Sequence, residues 1–149
     1  MKHLVLIVED EYGSAEVLQL LLEAEGYRVA SAPNGRAALD LLANESPALI
    51  LSDFMMPIMN GGELGDAVRR NPALSRVPFV ITSATDEEIV RRTFRDYDAF
   101  MTKPFAVEPL LALVERLVTH GRPSPPNHEA IGESMRHLMR GIDIPGRSE

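Results

Sequence analysis

Four places in the chain carry side chains able to do chemistry. Glu9, Asp10 and Glu11 follow one short apolar run, Asp53 follows another, Ser83 and Ala84 follow a third, and Lys103 and Pro104 a fourth. Each group has an ordinary explanation when taken alone, since acids after a strand often start helices, a serine caps a turn, and an aspartate or lysine sits in a solvated loop. Together they point elsewhere. Carboxylates drawn to one place resist ionising together unless a cation joins them. A hard divalent ion answers that need, and Mg2+, which takes oxygens from one or two carboxylates, waters and phosphate, suits so sparse a set better than Ca2+. Lys103 is one of two lysines among the 15 basic residues, the other being Lys2. A flexible point charge suits an anionic oxygen whose position changes during a reaction.

These residues meet only if the runs that precede them are neighbours in one sheet. Leu4–Val8, Arg28–Ser31, Ala48–Ser52, Phe79–Thr82 and Ala99–Met101 read as strands, and the first, third and fourth are apolar but for a closing Ser52 or Thr82, as strands covered on both faces are. Helical spacing separates them. Tyr12–Glu25 places Ala15, Leu18, Leu21 and Leu22 on one face and ends at Gly26, a left-handed cap. Asn34 caps a second helix, Glu63–Arg70 forms a third, and Asp86 starts a fourth that runs through Phe94. Val107–Val118 is apolar nearly all round and is expected to be largely buried. The alternation predicts a (βα)5 doubly wound α/β fold, a parallel sheet with helices on both faces, whose ligand site lies past the carboxyl ends of the strands.

The run Val8-Glu9-Asp10, the segment Asp53-Phe-Met-Met-Pro57 with Asn60-Gly61-Gly62, the pair Ser83-Ala84 and the run Lys103-Pro104-Phe105 together resemble the receiver domain of two-component response regulators over about residues 3–120. The resemblance implies the flavodoxin-like strand order 2-1-3-4-5, for which this family is itself a standing example. It implies that Asp53 is the phosphoacceptor, attacking a phosphohistidine on a sensor histidine kinase or phosphotransfer protein. It further implies that Asp10, Asp53 and the Met55 carbonyl ligate Mg2+, with Glu9 acting directly or through water. Lys103, Ser83 and Ala84 then contact phosphoryl oxygens, and Ser83 and Phe100 form a switch. The implied output surface for a downstream protein is the fourth helix, fifth strand and fifth helix, including Ile89, Val90, Arg91, Arg92 and Tyr97; dimerisation is left open. Glu9 stands where aspartate is more frequent, and Ser83 where threonine is also usual. Asp98 replaces a usual glycine and is expected only to alter a turn. Met55 and Thr85 occupy positions that tune hydrolysis of the acyl phosphate. Met55 offers no donor to orient a water, which implies slow self-dephosphorylation.

Composition narrows the alternatives. With 45% hydrophobic and 25% charged residues the 149-residue chain can build one core, and a net charge of −7 argues against direct nucleic-acid binding. There is no cysteine, and the opening segment meets acid too soon for a signal peptide, so a cytoplasmic protein that binds no membrane is expected. A receiver-like adaptor that never takes phosphate is one rival. A flavin-binding enzyme on the same fold is another, but Glu9-Asp10-Glu11 would repel the phosphate that such a loop must cradle. The domain is expected to span residues 1–120, followed by a Pro-rich linker at 121–127 and a tail at 128–149. In that tail Ile131, Met135, Leu138 and Met139 stand at helical spacing. His120, His128 and His137 have no metal-site spacing.

Overall fold

The computed structural model describes residues 2–123; the remainder of the linker and the amphipathic spacing in the tail lie outside the described residues. Five strands form: β1 Leu4–Val8, β2 Arg28–Ala32, β3 Leu49–Asp53, β4 Phe79–Ser83 and β5 Ala99–Thr102. All pair in parallel, in the order β2-β1-β3-β4-β5. Strand alternation sends one set of side chains to each face. Leu6, Val8, Ile50, Phe79 and Ile81 build a core on one side, and Val5, Ile7, Leu49, Leu51 and Val80 build another on the opposite side. Each fully buried Leu, Ile, Val or Phe contributes about 1.5–3 kcal/mol. The three central strands carry most of that burial, while β2 and β5 at the edges are half-exposed.

Helices α1 Tyr12–Ala24 and α5 Val107–His120 cover the second face. Helices α2 Gly35–Leu42, α3 Gly61–Arg70 and α4 Glu87–Arg91 cover the first. Their ends follow local chemistry. Gly26, at φ +96°, turns the chain out of α1. Asn34 accepts a bond from the Ala37 amide (2.8 Å) at the start of α2. Helix α3 begins two residues earlier than its apolar pattern indicates, because Asn60 and Glu63 form a reciprocal capping box.

Two helices differ from expectation. Helix α4 stops at Arg91, and Asp86 precedes it without a side-chain capping bond. Phe94 leaves the helical run to pack edge-on against Phe79, with ring centroids 5.5 Å apart. Helix α5 is not largely buried. Leu110, Val114 and Leu117 face the sheet, whereas Leu111, Leu113 and Val118 are only half-covered and Val107 is exposed. A helix in the outer layer of a single sheet has one neighbour, so one stripe is all it can bury.

Candidate functional site

The carboxyl ends of β1 and β3 lie side by side, and each hands on an acid. The Glu9 amide continues the ladder of β1 by donating to the Ala32 carbonyl (3.0 Å), which fixes the residue although the strand has ended. The Phe54 amide does the same for β3 by donating to Thr82 (3.0 Å). Glu9 and Asp53 are buried and Asp10 is exposed. One oxygen from each of the three falls within 4.8 Å of the others, close enough to share an ion.

Lys103 closes the group from β5. Its amide donates to the Ser83 carbonyl (2.9 Å), and its Nζ lies 2.9 Å from Glu9 Oε2 and 3.4 Å from Asp53 Oδ2. The longer Glu9 side chain thus reaches the lysine directly, and its other oxygen accepts from the Glu11 amide at 3.3 Å. Burial raises Glu9 above the ordinary carboxylate range; the Lys103 hydrogen bond opposes this and the charge of Asp53 adds to it. Burial likewise raises Asp53, with Lys103 opposing and Asp10 adding. For Lys103 burial disfavours the charge, but the bond to Glu9 and the field of Asp53 outweigh it, and the ammonium is held above its usual value.

Ser83 is buried at the end of β4, and its Oγ accepts from the Thr85 amide (2.9 Å). Ala84 is exposed and, with Glu9, Lys103, Val17, Leu18 and Phe105, lines a cavity of about 800 Å³ beside the acids. The Met55 side chain is exposed. Phe100 is half-buried, its ring 6.1 Å from that of Tyr97. Within the surface expected to give output, Ile89, Arg91 and Arg92 are exposed, but Val90 is fully buried. Val90 belongs to the core that seats α4.

Two glycines missing from the sequence-derived site hold it in shape. A Cβ on Gly61 would stand 2.4 Å from the Asp53 carbonyl oxygen, so only glycine lets α3 start this close to the end of β3. Gly35 is similarly pressed against Met59, with 2.7 Å left for a Cβ, and so supports the loop after Asp53 from α2. The double glycine after Asn60 signals a tight turn; its contact with Asp53 is made only in three dimensions.

The profile described as Response regulator receiver domain matches residues 5–115. The uncharacterized transcriptional regulatory protein YkoG of Bacillus subtilis is 40% identical over 112 residues, covering 74% of this chain and 48% of YkoG. The chain thus spans about half the length of that relative. An uncharacterized 14.6 kDa protein in the sodA1 3' region of Leptolyngbya boryana is 37% identical over 117 residues, covering 75% of this chain and 87% of that protein. Among solved structures, the signal receiver domain of a signal transduction histidine kinase from Syntrophus aciditrophicus superposes with a TM-score of 0.74 at 34% identity, over 85% of this chain and 98% of that one. The match over most of the sheet, made by a chain that converges acids and a lysine at the sheet's carboxyl edge, places this protein in the response regulator receiver domain family.

Proposed function

We propose that this receiver domain accepts a phosphoryl group on Asp53 from a phosphohistidine of a sensor histidine kinase or phosphotransfer protein, uses Mg2+ to do so, and switches a protein-binding surface in response. The observation that carries the reading is the charge balance at the carboxyl edge. Three carboxylates face one ammonium, leaving two negative charges that a divalent cation neutralises. Glu9, Asp10, Asp53 and the Met55 carbonyl would hold Mg2+, which when bound offsets negative charge on the phosphoryl oxygens.

This chain's own residues do the remaining work. An Asp53 oxygen forms the new O–P bond as the donor's N–P bond breaks, and the imidazole nitrogen keeps the electron pair and takes up a proton. Lys103, already 3.4 Å from Asp53, pairs with the phosphoryl oxygens as they arrive. Ser83 uses its Oγ as an acceptor in the resting state and so retains a proton to donate to a phosphoryl oxygen, next to the Ala84 amide. Phe100 then turns into the space that Ser83 leaves, and the surface of α4, β5 and α5 changes for a downstream protein. Val17, exposed on α1 and lining the cavity beside Glu9 and Lys103, gives the phosphodonor an apolar footing.

The protein acts as a signalling module and turns over no metabolite. A stand-alone role is supported by the 14.6 kDa relative, 87% of which this chain covers; among the described residues no helix is long and apolar enough to cross a membrane. The test is incubation with Mg2+ and acetyl phosphate followed by intact mass. One added phosphoryl group, absent in Asp53→Ala, supports the reading; no gain, or a gain that survives the substitution, overturns it.

A further inference from the structure

At the opposite end of the sheet, where β4 and β5 begin, Asp98 does far more than alter a turn. Its side chain is 4% exposed and accepts three bonds: Oδ2 from the Phe79 amide (2.8 Å) and from Arg69 Nη2 (3.1 Å), and Oδ1 from Arg122 Nε (2.9 Å). Arg122 comes from the segment that follows α5. Its guanidinium, 13% exposed, also pairs with Asp96 and donates to the Ser75 carbonyl (3.1 Å). Arg76 closes over it by donating to the carbonyls of Arg122 (2.9 Å) and Pro123 (3.0 Å). The turn that sends Arg122 back depends on glycine. Gly121 sits at φ +70°, ψ −169°, a region that is essentially glycine's alone.

We propose that Arg122 on Asp98 is a latch that reverses the chain after α5 and fixes its exit against the loop between α3 and β4. Arg122 and Pro123 are thereby held at the end of the sheet opposite Asp53. A buried carboxylate needs its partners in place, and a planar guanidinium serves Asp98, Ser75 and Asp96 from three separate nitrogens, where a lysine would have to reach all three from one. The two arginines divide the work. Arg69 belongs to the folded body and keeps Asp98 paired whether or not the latch is closed, so the latch can open without leaving a bare buried charge.

The chain has no cysteine, so cysteines introduced at the exposed Ala73 and Pro123 carry spin labels cleanly. Double electron–electron resonance on the full chain is expected to give one narrow distance distribution, which broadens and moves to longer distance in Arg122→Gln and in Asp98→Asn. A broad distribution in the otherwise unchanged chain overturns the proposal, as does an unaltered one in Arg122→Gln. Thermal melts confirm that each variant folds. Should Arg122→Gln unfold, Asp96→Asn removes only the exposed partner and is expected to broaden the distribution partway; no broadening there overturns the latch. The test involves no phosphoryl transfer, so its outcome is independent of the function proposed for Asp53.

Discussion

Glu9 and Asp53, both held above the ordinary carboxylate range chiefly by burial, make the stability of the metal-free protein depend on pH. A carboxyl group that holds its proton more tightly in the native chain than in the unfolded one subtracts stability as pH climbs from the ordinary range near ~4 through the raised native value. Lys103 acts at the other extreme: its contribution is complete below its ordinary value and is lost only as pH rises through the raised one. The urea midpoint without divalent ions should therefore be pulled down by this pair as pH rises through their native values, and Asp53→Asn, with one titration fewer, should show a smaller pull. Parallel profiles for the two proteins would remove the shifts from the account. At Met55 the same scale of argument concerns water. A thioether cannot orient a hydrolytic water, whereas an amide can, so Met55→Asn should speed loss of the phosphoryl group by about tenfold, equivalent to ~1.4 kcal/mol of barrier. Decay followed by intact mass checks this, and an unchanged rate would refute the slow self-dephosphorylation read from the sequence.

The loop between Asp53 and α3 carries a strained residue, and α3 opens on an irreplaceable one. Ile58 is 80% exposed and sits at φ +71°, a conformation that a β-branched side chain resists. Ile58→Gly removes that resistance and forfeits little packing, so a gain of roughly 0.5–1 kcal/mol in chemical unfolding is expected. Gly61→Ala should act in the opposite sense. Its Cβ, 2.4 Å from the Asp53 carbonyl, must push β3 and α3 apart. A loss of about 1–3 kcal/mol is expected, together with weaker Mg2+ binding by titration calorimetry. A Gly61→Ala protein as stable as its parent would mean the two elements are not held this closely. These contrasts also show what was legible in the chain. Apolar runs and caps such as Asn34 and Gly26 are local, and they placed the strands, the end of α1 and the start of α2. The early end of α4 depends on Phe94 meeting Phe79, and the exposed side of α5 depends on having nothing outside it. No window of sequence contains either fact. The acids and the lysine were legible because each follows a strand. Asp98 was not, because its partners Arg69 and Arg122 lie 29 and 24 residues away.

Across the whole molecule, the proposed ion ties the charge at the sheet's carboxyl edge to global stability. Glu9, Asp10 and Asp53 come from two strands that pair only when the fold is complete, so the unfolded chain has no comparable cluster. An ion that binds the native state alone stabilises it by RT ln(1 + [L]/Kd), about 2.7 kcal/mol at a hundredfold excess over Kd. For a domain of this size that corresponds to a rise in Tm on the order of 10 °C. Mg2+ should therefore raise the melting temperature with a logarithmic dependence on concentration, and the rise should be absent in Asp53→Asn and in Asp10→Asn. Lys103→Met leaves the three carboxylates uncompensated, so it should lower the metal-free Tm while enlarging the increment that Mg2+ produces. The two ions compete to neutralise the same charge, one supplied by the chain and one by solution. Equal increments in the parent and Lys103→Met proteins would mean that the lysine and the metal act at separate places.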